Sequence, residues 1–276
     1  MLSKLTPSHL FKDSLIVAIS IIALASSFFT ITGISLANWD SISIWCRLAL
    51  SLFCFIILFT IIYFWKKHQS CKQITIHIQN TPVIIKYGDI FNTEGLRVIG
   101  CDSHFDTRVD DIIISKNSLH GQLILNYSNV VDIHADIQNA AKKFNLKKNE
   151  KGLYNFPLGT LILHKSMKDN CIYLLLAMSQ LDKSNKATTD SSTFIQTLML
   201  MWKEIDCVYA SRDIVMPLLG TGILRFSDGP RTKKEILECL LWTLRYSGVS
   251  LNSTVTILLS SKTDDISLYE YTKLFT

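Results

Sequence analysis

The sequence predicts a transmembrane α-helical hairpin followed by one α/β domain, in which a mixed β-sheet lies between helices in three layers. Three observations predict this fold class. Two long apolar runs lie near the start of the chain, strand-like and helical segments alternate after residue 72, and a strand-like run ends in the glycine pair Gly220 and Gly222. Such alternation is typical of a sheet covered on both faces. The predicted domains are a hairpin at 1–72 and an α/β domain at 73–276.

The two apolar runs are predicted to span a bilayer at about residues 14–36 and 42–64. Their only charged side chain is Arg47, and each run exceeds the roughly 20 apolar residues that a membrane helix needs. The polar link around Asp40 is very short, so two helices with internally bonded backbones form a hairpin. Arg47 either reaches lipid headgroups near the outer interface or lies at a pore or subunit contact.

The charges that flank the apolar runs predict the orientation of the hairpin. Lysines precede the first run and follow the second, and basic flanks stay cytoplasmic, so both termini and the α/β domain are expected in the cytoplasm. Residues 1–72 carry four of the five net positive charges. The α/β domain therefore has no general attraction to nucleic acid. The seven cysteines form no CxxC pair and the histidines are scattered, so we predict reduced thiols and no metal site.

The elements of the α/β domain follow from the spacing of apolar residues. Ile74, Ile76 and Ile78 alternate with polar residues, as in a half-buried strand, whereas short continuous apolar runs are typical of buried strands. Strands are predicted at 73–79, 82–86, 96–99, 111–115, 159–164, 171–178, 215–219 and 254–259, helices at 132–144, 193–205, 231–246 and 266–275, and a polar loop at 181–192. Asp228 is expected to cap the helix that begins at Arg231, and Gly248 to end it.

Two loops at strand ends predict a nucleotide site. Glycine lets a backbone approach an anion closely, so residues 218–224 can surround a diphosphate with N–H donors. Asp89 follows another strand and can accept a hydrogen bond from an exocyclic amine such as adenine N6. Ligands of open α/β sheets bind outside such strand ends. The loop is neither a Walker A motif nor a GxGxxG motif, because no Gly-Lys-Ser/Thr follows and position 225 is Arg225.

Four segments carry a resemblance to a known family. Tyr87-Gly-Asp-Ile-Phe91 resembles the opening signature of macro domains, the ADP-ribose-binding modules, and Met216-Pro-Leu-Leu-Gly-Thr-Gly-Ile223 resembles their phosphate loop. Together with the hairpin, the segments Gly100–Thr107 and Ile114–Gln122 make the whole chain similar to the membrane-bound macro-domain effectors of Thoeris anti-phage defence.

The resemblance implies a function and a set of ligand contacts. A partner TIR-domain enzyme would make a signal from NAD, the macro domain would bind it as an ADP-ribose conjugate, and assembly of several copies would disrupt the bacterial inner membrane. No other cofactor and no nucleic acid are expected. The implied ligand-binding residues are Asp89, Ile90, Cys101, Asp102, Ser103, His120, Gly121, Leu219, Gly220, Thr221, Gly222, Ile223 and Leu224.

One departure from the family pattern favours a receptor over an enzyme. Macro domains that remove ADP-ribose use an asparagine-rich stretch, where this chain has Cys101, Asp102, Ser103 and His104. Asp102 and His104 nevertheless leave open a membrane-tethered ADP-ribosyl hydrolase, because a carboxylate and an imidazole can serve as acid and base. A passive ADP-ribose-binding scaffold is a third alternative. His120 either contacts the ligand or closes a loop by hydrogen bonding.

Overall fold

The computed structural model describes residues 9–32, 43–70, 73–182 and 186–260. They fall into two compact units, which meet in the chain at Ile74 and Thr75.

The first unit consists of two long helices, α1 (His9–Thr32) and α2 (Ile44–Ser70). The start of α1 packs against the second half of α2: the rings of Phe11 and Phe59 lie 5.1 Å apart, and Lys66 Nζ donates to the carbonyl of Asp13 at 3.2 Å. Small side chains are fully buried in α1, at Ser14 and Ala18. Close packing of helices at small residues accounts for this burial.

Large apolar side chains of both helices are exposed, including Ile16, Leu24, Phe53 and Ile61. Within the described ranges, no helix is both long enough and apolar enough to cross a membrane. The transmembrane spans therefore stay a prediction. The predicted link around Asp40 lies outside the described residues, as does the side chain of Arg47.

Among the described residues, the second unit is built on a nine-stranded sheet, and the sequence correctly predicts that the sheet is mixed. The strands are β1 (Gln73–Ile78), β2 (Thr81–Tyr87), β3 (Leu96–Asp102), β4 (Leu161–Lys165), β5 (Ile172–Leu181), β6 (Ala187–Thr189), β7 (Ile214–Pro217), β8 (Arg225–Phe226) and β9 (Val255–Leu259). Their order is β1-β2-β9-β7-β3-β5-β6-β8, with β4 antiparallel to β5. The five central strands β2, β9, β7, β3 and β5 are parallel, so their carboxyl ends share one edge of the sheet.

Helices cover both faces of this sheet. They are α3 (Leu119–Gln122), α4 (Val130–Lys143), α5 (Ser191–Val208) and α6 (Lys233–Tyr246), with a 3-10 turn at Ile90–Asn92 and a π-helical turn at Leu123–Tyr127. Tyr173, Leu175 and Ala177 of β5 pack in the same hydrophobic core as residues of α4. Leu174 and Leu176, which alternate with them, are also buried. Successive strand residues point to opposite faces, so continuous burial means that both faces are covered. On α5, Trp202 is fully buried and donates from Nε1 to Thr243 of α6 at 3.2 Å.

Three of the predicted elements are wrong in detail. The segment 111–115 is a loop, because Asp110 accepts from the N–H groups of Ile112 and Ile113 and Asp111 accepts from that of Lys116. These local bonds replace a strand ladder. The predicted loop 181–192 contains β6 and the end of β5, and α5 continues to Val208. The predicted helix at 266–275 lies outside the described residues.

The N-terminal cap of α6 is Thr232 and not Asp228. Thr232 accepts from the N–H of Glu235, whose carboxylate accepts from the N–H of Thr232, so the two form a capping box. Asp228 instead accepts from Arg231 and from the N–H of Ser191. Gly248 follows α6 with a φ of 77°, as expected of a residue that ends a helix.

Removing the capping hydroxyl should weaken the fold measurably. Thr232→Ala leaves the N–H of Glu235 without its acceptor, so we expect it to lower the free energy of unfolding by about 1 kcal/mol. Thr232→Ser keeps the hydroxyl and should restore most of this loss. Urea denaturation of the three proteins measures both effects, and an equal loss in the serine variant would contradict the assignment of the cap.

Candidate functional site

A large cavity of about 560 Å³ lies where β3, β5, β7 and β9 end. Most of the predicted site residues line it. They are Cys101, Asp102, His120, Leu219, Gly220, Thr221, Gly222, Ile223 and Leu224. The volume lies within the range of small-molecule sites, about 300–1,000 Å³. The parallel order of the strands brings these residues together, since it places the loops after β3 and β7 at the same edge.

The glycine loop 218–224 forms one wall of this cavity. Gly220 has a φ of 89°, and an added Cβ would lie 3.0 Å from Cζ of Phe194, so both conformation and space favour glycine here. The hydroxyl of Thr221 donates to the carbonyl of Leu218 at 2.7 Å and holds the turn. Around Gly222 there is open space.

The glycine loop 218–224 offers backbone N–H donors to the cavity. Among the bonds between described residues, none is donated by the backbone N–H of Gly222, Ile223 or Leu224. No Lys or Arg is found among the described residues that line the cavity. An anionic group would therefore have to be bound by N–H groups and dipoles, as in other backbone anion sites.

The end of β3 contributes the one carboxylate that the described lining contains, that of Asp102. Its Oδ1 accepts from the N–H of His104 at 2.8 Å, and Nδ1 of His104 lies 3.6 Å from the same oxygen, beyond hydrogen-bond distance. Ser103 does not line the cavity and is fully buried, with its N–H bonded to the carbonyl of Ser179 at 2.8 Å. Burial raises the pKa of the Cys101 thiol, and Asp102 adds to this effect, so Cys101 stays a neutral thiol.

Residues 113–122 form another part of the cavity wall, of which the sequence predicts only His120 as a lining residue. Ile113, Ile114 and Ser115 line the cavity although a strand was predicted there, and so do Asn117, Ser118, Leu119 and Gln122. Gly121 lies behind this wall: a Cβ at this position would meet the carbonyl oxygen of Ser115 at 2.2 Å. The local acceptors at Asp110 and Asp111 were the signal in the sequence that could have identified this segment as a loop.

His120 is buried and uncharged at neutral pH. Desolvation lowers its pKa from the ordinary value of 6.5, and the nearby carboxylates of Asp102 and Asp106 oppose this only in part. The unfolded chain therefore binds a proton at His120 before the folded chain does. The stability that depends on the neutral ring is complete above about pH 6.5 and is lost as the pH falls towards the folded-state pKa.

The lowered pKa of His120 predicts that the stability of the folded chain depends on pH. Between about pH 7 and pH 5, the wild type should lose stability more steeply than His120→Gln, which cannot take up the proton. Urea denaturation at several pH values measures the two slopes. Equal slopes would show that His120 does not titrate differently on folding.

Asp89 and Ile90 are not among the residues that line the cavity. Gly88 donates to the carbonyl of Leu259 at 3.2 Å, which places Asp89 one strand beyond β9. Its carboxylate accepts from the N–H of Phe91 at 3.1 Å and from Asn92 Nδ2 at 2.8 Å. Ile90 is buried in the core. The adenine contacts of these two residues stay a prediction.

Comparisons with known proteins match the second unit. The family model described as Thoeris protein ThsA, Macro domain, matches residues 83–260. The Thoeris protein ThsA of Bacillus amyloliquefaciens (strain Y2) is 33% identical over 195 residues, which are 68% of this chain and 65% of that protein. The match thus spans slightly less than two thirds of the relative's length.

Solved macro domains share low sequence identity with the chain. The Oceanobacillus iheyensis macrodomain with ADP is 13% identical in sequence to this chain. The match covers 72% of this chain and 92% of that macrodomain, with a TM-score of 0.49. The same macrodomain with MES bound is 14% identical. The match covers 72% of this chain and 94% of that macrodomain, with a TM-score of 0.46.

Proposed function

Because this chain belongs to the family of the Thoeris protein ThsA macro domain, we propose that its large cavity receives an ADP-ribose-type nucleotide as a signal in anti-phage defence. The partner in this proposal is a TIR-domain enzyme that makes the nucleotide from NAD. The observation that carries the proposal is the glycine loop, which lines a cavity of nucleotide size. Its N–H groups at Gly222, Ile223 and Leu224 donate no bond to any described residue.

The charges around the cavity suit a nucleotide held by its diphosphate. The N–H groups of residues 222–224 would donate to the phosphate oxygens, and charge-assisted bonds of this kind are strong. On the side of β3, Asp102 can accept from ribose hydroxyls. Apolar side chains such as Ile114, Leu218 and Leu258 line the rest and would cover the faces of the sugar and base.

The helices α1 and α2 form the effector part of the proposed mechanism. We propose that they act on the bacterial inner membrane, with both termini and the macro domain in the cytoplasm. Support comes from the exposed apolar side chains of both helices and from the lysines that flank the two apolar runs of the sequence. Two helices enclose no pore, so membrane damage requires a homo-oligomer. Ligand binding must then favour the assembled state, because a ligand shifts an equilibrium only by its differential affinity.

Dye leakage from liposomes tests this function. Full-length chain is added to dye-filled vesicles, followed by the nucleotide products of a TIR-domain enzyme acting on NAD. We expect rapid leakage with products and none with untreated NAD. Gly222→Val, which should obstruct the loop, provides the control. Ligand binding without leakage would favour the passive scaffold and contradict the effector.

The ADP-ribosyl hydrolase is the second candidate function, since Oδ1 of Asp102 and Nδ1 of His104 lie 3.6 Å apart. We favour a receptor because the Asp102 oxygen that faces His104 already accepts from that residue's N–H, which leaves it less free to activate water. Incubation of the chain with an ADP-ribosylated protein separates the two. A receptor leaves the substrate intact, whereas release of ADP-ribose that is lost in Asp102→Asn would establish the enzyme.

A further inference from the structure

A second, smaller cavity of about 140 Å³ adjoins the turn that follows β3. Asp102, the last residue of β3, lines the large cavity, and residues His104 to Thr107 line the small one. The remaining wall comes from α4 and from residues 148–154. A single water needs about 10–15 Å³ of such volume, so the small cavity has room for a small ion or molecule.

Lys148 lines the small cavity and is exposed to solvent. Its Nζ lies 5.4 Å from the ring centre of Tyr154 and makes no ion pair with any carboxylate of the described residues. The other charged lining residue, Asp106, is already neutralised: Arg108 donates to it through Nε at 3.0 Å and through Nη2 at 2.5 Å. Burial raises the pKa of Asp106, but the bonds from Arg108 outweigh this and hold it below its ordinary value.

Further hydrogen-bonding groups line the same cavity. Nε2 of His134 is bonded to the hydroxyl of Thr107 at 2.7 Å, and the amide of Gln138 also lines the space. Nδ1 of His104 is buried without a hydrogen-bond partner. A lysine with several polar groups in a concave surface fits an anion with oxygen acceptors.

The backbone next to this site is strained. Phe105 has a φ of 49° and is buried, and a positive φ is unusual for a bulky residue. Its ring packs edge-on against Phe156 at 5.2 Å, and the N–H of Phe156 donates to the carbonyl of Ser103. Packing therefore holds the turn in a costly conformation. Such strain is concentrated at sites that bind or react.

We propose that the small cavity is a binding site for a small oxyanion, a phosphate or a carboxylate, and that Lys148 supplies its charge. This site lies outside the nucleotide cavity and goes beyond the proposed function. It takes its anion through side chains, whereas the glycine loop would take a diphosphate through backbone N–H groups. The two sites adjoin at the end of β3, where Asp102 lines the large cavity and His104 and Phe105 line the small one.

Titration calorimetry of the full-length chain with inorganic phosphate, and separately with acetate, tests the site. We expect saturable binding of at least one of them, with a Kd of about 1 mM. The anion that saturates shows whether the site prefers phosphates or carboxylates. Lys148→Met should weaken binding by about tenfold or more, because a charge-assisted bond is lost. Lys151→Met, at a neighbouring lysine that does not line the cavity, should bind as the wild type does.

A third variant separates this site from the nucleotide cavity. Gly222→Val obstructs the glycine loop but leaves the small cavity untouched, so the oxyanion binding that depends on Lys148 should persist in this variant whether or not the glycine loop also binds phosphate. The proposal is overturned if neither anion saturates, if the two lysine variants weaken binding equally, or if Gly222→Val abolishes it.

Discussion

Gly222→Val is expected to weaken ADP-ribose binding by about 100-fold or more while leaving stability within about 0.5 kcal/mol of the wild type. A Cβ at Gly222 meets no heavy atom within 4 Å, and its φ lies outside the left-handed region, so the folded chain can accept the side chain. The same side chain would stand where phosphate oxygens approach the N–H groups of residues 222–224. Loss of two or more charge-assisted bonds accounts for the size of the effect.

Ser227→Val is the matched control for this prediction. Ser227 is exposed on the same segment and does not line the cavity, so its ADP-ribose affinity should stay at the wild-type value. Calorimetry measures the affinities, and urea denaturation measures the stabilities. If Gly222→Val bound ADP-ribose as tightly as the wild type does, the glycine loop would not be the phosphate site.

Gly121→Ala is expected to have the largest effect on stability. The new Cβ would lie 2.2 Å from the carbonyl oxygen and 3.1 Å from the carbonyl carbon of Ser115. Both are backbone atoms, so residues 115–121 would have to move. Overpacking lowers the free energy of unfolding by about 3 kcal/mol in such cases. The higher helix propensity of alanine offsets only about 1 kcal/mol of this loss. We expect a net loss of about 2 kcal/mol in the free energy of unfolding.

The displaced segment also lines the large cavity, so Gly121→Ala should weaken ADP-ribose binding as well. Gly222→Ala makes the same chemical change where there is open space, and its stability should match the wild type. Urea denaturation compares the variants. A loss below about 0.5 kcal/mol in Gly121→Ala would mean that the contact between Gly121 and Ser115 is not tight in the folded chain.

Periodicity predicted most of the α/β domain because its strands and helices differ clearly in apolar spacing. It failed at 111–115, where an apolar run is held in a loop by carboxylates at Asp110 and Asp111. It also missed β6 and β8, which are two or three residues long. β6 pairs with the preceding strand β5, and β8 pairs with β6 from a distant part of the chain. Such short strands have no local signal, since their stability comes from tertiary contacts.

The candidate site was predicted best where glycine carries the signal. The need for glycine at residue 220 can be read from the sequence, and the structure places Gly220, Thr221 and Gly222 on the cavity wall. Asp89 shows the limit of this inference. Its position at a strand end was correct, but its carboxylate is bonded to Phe91 and Asn92. The strand order decides which loops meet, and the sequence does not reveal that order.

A crystal structure of the chain soaked with ADP-ribose would test the proposed pocket most directly. We predict the diphosphate in the large cavity, with its oxygens about 3 Å from the backbone nitrogens of Gly222, Ile223 and Leu224. The distal ribose should lie beside Asp102. A diphosphate bound elsewhere, or a large cavity that stays empty at saturating ADP-ribose, would contradict the proposal that this loop receives the signal.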